Sequence, residues 1–172
     1  MEGDTLVTVV VIILAAAIMV IFPLMTMADR TDDVTQLVLE STLAEFADEV
    51  RYTAVITADQ YEKLIESLAA TGNTYDIEME IKVLDENPGK KTAQAQDTKY
   101  GENEYYSVFT EDILDVLDKE GKYKLTQGSF FIIKGKNDNM TLADQLHNFL
   151  SSVSGSENYA NQAEKSVMIT GN

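Results

Sequence analysis

Residues 5–26 read TLVTVVVIILAAAIMVIFPLMT, a run of about 22 residues without one charged side chain. As a helix rising about 1.5 Å per residue, this run is long enough to cross a hydrocarbon core about 30 Å thick. A removable secretory signal has a basic start and only about 7 to 15 apolar residues. Here Glu2 and Asp4 precede a longer run. The sequence therefore predicts a permanent membrane-inserted helix near the N-terminus.

The composition excludes several function classes. The chain has 172 residues, with 13 Lys+Arg against 29 Asp+Glu and a formal net charge of −16. Such a charge repels phosphate backbones, so nucleic-acid binding is not expected. The absence of cysteine excludes disulfides, thiolate metal ligands and thiol nucleophiles. The part that follows the apolar run is long enough for one ordinary domain, which must be held together by packing alone.

An amphipathic helix is predicted directly after the apolar run, because apolar residues recur there at mostly three- and four-residue spacings. They are Val34, Val38, Leu39, Leu43, Phe46 and Val50. Pro23 lies inside the apolar run and is expected to kink the helix rather than end it. We therefore expect one helix of about 50 residues. Its parts are a hydrophobic transmembrane or filament-core helix at 1–28 and an amphipathic continuation at 29–56, and an acidic α+β surface domain follows at 57–172.

Shorter elements are predicted in the rest of the chain. Three helices are expected where a threonine that suits an N-cap precedes an apolar stripe. These threonines are Thr57, Thr110 and Thr141. Residues 74–85 alternate apolar and polar side chains, which predicts a strand with one wet face. Further strands are predicted at YKL (123–125) and SFFIIKG (129–135), joined near Gly128, and at an edge strand over 167–169.

The order of these elements predicts the fold class. Residues 86–103 contain Pro-Gly and paired lysines without an apolar period, which indicates a long loop available for adhesion or partner contact. Strands clustered with helices on one side are typical of α+β proteins. We therefore expect a long N-terminal helix with a small antiparallel sheet and short helices packed on its outer half.

Few residues have a pattern typical of a catalytic or cofactor site. His147 is the single histidine, and a serine or metal mechanism would need it beside a particular nucleophile or ligand. Carboxylates such as Glu78 and Glu80 have a spacing that any amphipathic element gives, so we interpret them as solvated. The NDN sequence at 137–139 lacks the Gly and the distant Glu of an EF-hand loop and predicts a turn. We predict no catalytic residue, no metal and no cofactor, and the protein is not expected to be an enzyme.

The apolar run contains candidate residues for helix–helix assembly. Ala15, Ala16 and Ala17 permit close approach between helices in lipid, although alanines are also ordinary in any membrane helix. A charged residue at Ile12 would disrupt such packing. Asp4 and Thr8 could neutralise a positive group of a neighbouring subunit when helices stagger in a bundle.

The stretch GDTLVTVVVIILAAAIMVIFP at 3–23 resembles the N-terminus of type IV pilins and related pseudopilins. The resemblance implies that Gly3 is the last leader residue, Asp4 the first mature residue and Pro23 the helix-kinking proline. The sequence departs from the family pattern in its very short leader without a basic residue, and in Thr8, which occupies the slot of the family's glutamate. Residues 57–83 and 128–150 are similar to blocks of TadE-like pseudopilins from tight-adherence secretion loci.

The resemblance implies a structural role. Such a protein would be a membrane-inserted precursor that a secretion ATPase and a membrane platform assemble, with copies of itself, into an extracellular surface filament. The same helix would be soluble either in lipid or among its copies. The alternative is a single-pass membrane protein whose soluble domain binds a ligand or partner and never polymerises. An enzyme is the third hypothesis.

Overall fold

A single long helix opens the structure. The computed structural model of the protein describes residues 2–84, 105–151 and 161–171, so the predicted loop at 86–103 lies outside the described residues. Helix α1 spans Glu2–Thr53, which confirms the prediction of one continuous helix, and Pro23 lies inside it. The helix ends three residues before the predicted boundary at 56. Ala54 has a left-handed φ of 53°, and the β-branched residues that follow are extended.

The next helix confirms its predicted start. Strand β1 is Val55–Thr57 and helix α2 is Ala58–Ala69. The Gln60 backbone N–H donates to Thr57 Oγ1 at 3.2 Å, and the Thr57 backbone N–H donates to Gln60 Oε1 at 2.9 Å. This reciprocal pair is a capping box, which satisfies two donors at the start of α2.

The described strands form two antiparallel sheets. Strands β2 (Tyr75–Leu84), β3 (Tyr105–Phe109), β5 (Phe130–Asn137) and β6 (Gln162–Met168) form a four-stranded sheet in the order β3-β2-β5-β6. Strand β4 (Lys122–Lys124) pairs with β1 instead. The predicted strands at 123–125 and 129–135 therefore belong to different sheets. The predicted edge strand is confirmed and begins earlier, at Gln162. Strands β1 and β3 were not predicted, because short runs of 3 and 5 residues carry little period.

The core lies between α1 and one face of the four-stranded sheet. One compact unit comprises Leu37–Asn139 and Gln162–Asn172, and the other comprises Met1–Gln36 and Met140–Asn161. In the first unit, α1 buries Leu39, Leu43, Phe46, Ala47 and Val50 in the same cluster as Ile77, Met79, Ile81, Phe131 and Ile133 of the sheet. The rings of Phe46 and Phe131 are 6.1 Å apart. This packing confirms the predicted α+β fold with the sheet on the outer half of the helix.

Helix α3 (Thr110–Glu120) begins differently from the prediction. Phe109 occupies the N-cap position and has no side-chain cap, so the prediction that Thr110 caps the helix is wrong. Thr110 Oγ1 accepts from the Met79 backbone N–H at 2.7 Å and donates to the Met79 carbonyl at 3.2 Å. Phe109, the last residue of β3, pairs with Glu80 of β2. Thr110 comes next in the chain, so its hydroxyl lies beside Met79 and bonds the backbone groups of that residue. The helix ends at Gly121 with a left-handed φ of 71°, as predicted.

Helix α4 (Leu142–Ser151) belongs to the second unit. The Asp144 backbone N–H donates to Thr141 Oγ1 at 3.2 Å, and the Thr141 N–H donates to Asp144 Oδ2 at 3.0 Å. The predicted cap at Thr141 is therefore confirmed, and a carboxylate completes it.

Candidate functional site

The N-terminal half of α1 is an exposed apolar surface. Every residue from 3 to 20 is exposed. About a dozen large apolar side chains between Leu6 and Leu24 are exposed. By length and composition α1 could cross a membrane. Single exposed apolar residues are ordinary on a protein surface, but a continuous apolar surface of this extent marks a site of interaction with a membrane or with protein.

Helical spacing brings several of the predicted assembly residues to one side of α1. Thr8, Ile12, Ala15, Ala16 and Pro23 recur at spacings of three, four and seven and so share a face, on which Ile12 is 62% exposed. Two other candidates, Ala17 and Gly3, project elsewhere around the helix. Three successive alanines therefore do not all line one contact. The face that holds Ala15 and Ala16 is therefore the one on which small side chains would permit the closest approach of another helix.

Polar groups at the start of this surface bond within the helix. Thr8 Oγ1 donates to the carbonyl of Asp4 at 2.7 Å, so its hydroxyl hydrogen has an acceptor inside the helix. Its oxygen retains lone pairs that accept. The Asp4 side chain lies in the first turn, where a carboxylate interacts favourably with the helix dipole. A Cβ added at Gly3 would meet no other atom within 4 Å. Processing at Gly3 remains a prediction.

Pro23, the predicted kink position, is compatible with a membrane-inserted helix. Pro23 has no N–H, so the carbonyl one turn earlier, at Met19, loses its usual donor. Nearby, Thr26 Oγ1 donates to the carbonyl of Phe22 at 3.1 Å, so this hydroxyl is satisfied inside its own helix. Such a local bond allows threonine in an apolar helix at low cost.

The second unit holds a polar contact directly after the apolar run. His147 Nε2 of α4 lies 3.0 Å from Asp29 Oδ1 of α1. Thr141 Oγ1 donates to Asp32 Oδ2 at 2.8 Å. Burial raises the pKa of Asp32, and the charges of Asp144, Asp29 and Asp33 add to the increase, while the Thr141 hydrogen bond opposes it. The single histidine therefore pairs with a carboxylate, which sequence reasoning could not find across 118 residues.

The solvent-exposed face of the four-stranded sheet has a shallow cleft. Its volume is about 430 Å³, and its lining includes Glu78, Glu80, Phe109 and Lys134. Thr110 also lines the cleft, but its hydroxyl is hydrogen-bonded to both the N–H and the carbonyl of Met79. Within the described part of the chain, no group of three or more His, Asp or Glu residues could hold a metal ion.

Comparisons with protein-family models, with curated proteins and with solved structures gave no match for this chain.

Proposed function

We propose that this protein is a structural subunit of an extracellular filament of the type IV or Tad-like kind, and that it polymerises through α1. One observation supports the proposal most directly. The apolar run is exposed on all sides, yet it continues without a break into a segment whose apolar face forms the core of an α+β domain. The domain therefore needs only one face of α1, which leaves the N-terminal half for other partners.

The physical reason is the cost of exposing this surface to water. Burial of a large apolar side chain stabilises by roughly 1.5–3 kcal/mol, so burial of about a dozen such residues amounts to some tens of kcal/mol. Lipid provides that burial in a membrane precursor, and copies of the same helix provide it in a filament core. A secretion ATPase and a membrane platform would move the subunit from the first environment to the second. The net charge of −16 would keep assembled filaments dispersed.

Electron microscopy of material sheared from expressing cells tests the proposal. Thin filaments that contain this chain are expected, and mass spectrometry of their N-terminus would show whether Asp4 or Met1 begins the mature subunit. Ile12→Asp and Ala16→Phe should abolish filaments, because both residues lie on the face expected to pack closely. Ile12→Val and Ala16→Ser are matched controls that should assemble. Normal filaments from both disruptive variants would contradict the proposal.

A non-polymerising membrane-anchored binding module is the second candidate. The cleft beside Phe109 and Lys134 favours it, because aromatic and charged groups together can hold a small ligand or a peptide. The two candidates differ in what they require of the apolar run. A tether requires only average hydrophobicity, so scrambling residues 9–22 at constant composition should leave it active. The same change should prevent assembly of a filament, whose helices must pack side by side.

A further inference from the structure

Two large apolar side chains of α1 stay exposed beyond the apolar run. Val34 is 60% exposed and Leu37 is 64% exposed, as much as Ile12 inside the run. They follow the charged segment DRTDD at 29–33, so they do not belong to the continuous apolar sequence. Single exposed apolar residues are ordinary on a protein surface, so Val34 and Leu37 are informative only if they continue the apolar surface of the run.

The position of these side chains around the helix is informative. Helical spacing places Val34 and Leu37 on the side of α1 opposite Leu39 and Leu43, which are buried in the core. The same side carries Met27, seven residues before Val34 and 66% exposed. We call the face formed by Ile12, Ala16, Pro23, Met27, Val34 and Leu37 the outer stripe. At the next positions on this side, Ser41 and Glu45 are exposed and polar, so the apolar stripe ends after Leu37.

Lipid tails cannot cover the end of the outer stripe together with the run. Leu37 lies about 16 Å beyond Thr26 along a helix with about 1.5 Å rise per residue, and the run alone already matches a core about 30 Å thick. A second α1 helix can cover both, because the spacings of three, four and seven residues along the stripe are those of a helix–helix seam. Arg30 lies on the same side with Asp33 three residues later, so staggered copies could oppose these two charges.

We infer that the contact between copies of α1 does not end with the apolar run but continues for about three turns, through Met27, Val34 and Leu37. This inference rests on the proposed function, because it requires copies of α1 to meet. It specifies an additional part of the subunit interface, in water rather than in lipid. There the hydrophobic effect can act between helices, whereas helices in a membrane lack that driving force.

Cysteine labelling tests the inference, because the natural chain has no cysteine. Single variants Val34→Cys and Leu37→Cys would be treated with a charged maleimide as monomers in detergent, in opened membranes and in sheared filaments. Glu45→Cys, two turns after Leu37 on the same side of the helix, is the matched control. We expect all three variants to react in detergent and in membranes. In filaments, reaction at positions 34 and 37 should be lost while Glu45→Cys still reacts.

Three results would overturn the inference. If Val34→Cys and Leu37→Cys react in filaments as fast as the control, the stripe is not an interface, although the proposed function stands. If they are already protected in membranes, a lipid surface covers them. If no filaments form under any condition, the proposed function fails as well.

Charge substitutions provide an independent test. Val34→Asp combined with Leu37→Asp should cause loss of filaments, because it places carboxylates in the seam, whereas Ser41→Asp should leave the yield unchanged. Circular dichroism of each variant would show that the domain is folded. Equal filament yields from folded double variant and control would contradict the inference.

Discussion

The two halves of α1 belong to one helix but bury different amounts of surface. Residues 5–20 carry no charge, are apolar on all sides and are exposed throughout, whereas the half after Leu37 is amphipathic and buries only the side that faces the sheet. A helix that is apolar all round needs an apolar environment in every direction, and an amphipathic helix needs one covering layer. The comparison indicates that the domain can be complete without the first half, and that the first half is suited to contacts outside the chain.

Removal of residues 1–28 should have the largest effect on membrane association and filament formation, because it removes most of the first half of α1 and keeps the second. The shortened chain is expected to be soluble, monomeric and folded, since the buried cluster begins at Leu39. It should form no filaments and should leave the membrane fraction. Size-exclusion chromatography and circular dichroism would check this, with the full chain in detergent as the reference for sheet content. An aggregated or unfolded product would show that the first half also supports the domain.

Replacing one leucine by alanine in each half of α1 should have different effects on the free energy of unfolding. Leu43→Ala is expected to lower the free energy of unfolding by about 2–5 kcal/mol, because it leaves a cavity in the core. Leu14→Ala, at a residue 56% exposed, should leave that free energy unchanged. Urea unfolding of both full-length variants in the same detergent, followed by circular dichroism, would measure the difference. Equal losses in both variants would mean that the first half also contributes to the domain's folding stability.

Local signals allowed both halves of α1 to be predicted, but not the contacts made by distant residues. The capping box of Thr57 with Gln60 spans three residues, so the sequence alone was sufficient to find it. Thr110 also precedes an apolar stripe, as an N-cap threonine would, yet its hydroxyl bonds Met79, 31 residues away. The pairing of His147 with Asp29 could not be predicted for the same reason. Of the candidate site, the apolar run could be predicted, whereas the exposure of Val34 and Leu37 depends on which side of α1 the sheet covers.

Close packing between the second half of α1 and β5 should be sensitive to one methyl group. A Cβ added at Gly135 would lie 2.9 Å from Leu39 Cδ1 and 3.2 Å from Leu43 Cδ1. Because the ends of leucine side chains can shift, Gly135→Ala should cost about 1 kcal/mol, at the low end of overpacking effects. Gly3→Ala in the first half, where a Cβ meets no atom within 4 Å, is the control. The unfolding midpoint in urea should fall for the first variant alone, and an unchanged midpoint for Gly135→Ala would mean that this packing is looser than the distances indicate.

The smallest effect on stability is expected from substitutions at the contact between α4 and α1, just past the apolar run. A carboxyl group whose pKa is raised on folding stabilises the folded state below its unfolded pKa, and this contribution is lost as pH rises through the folded pKa. For Asp32 that window begins at the ordinary value of 3.8 and extends upward. Asp32→Asn keeps an acceptor for Thr141 without the charge, so it should raise the thermal midpoint slightly at pH 7 and leave it unchanged at pH 3. The gain in the free energy of unfolding should stay below about 1 kcal/mol, because solvent screens a partly exposed group.

Thr141→Val is the complementary variant, since it removes the hydrogen bond that stabilises the carboxylate form of Asp32. It should lower the thermal midpoint more at pH 7 than at pH 3. A midpoint for Asp32→Asn below that of the natural chain at pH 7 would show that the ionised carboxylate stabilises this contact, through Thr141, more than its burial costs.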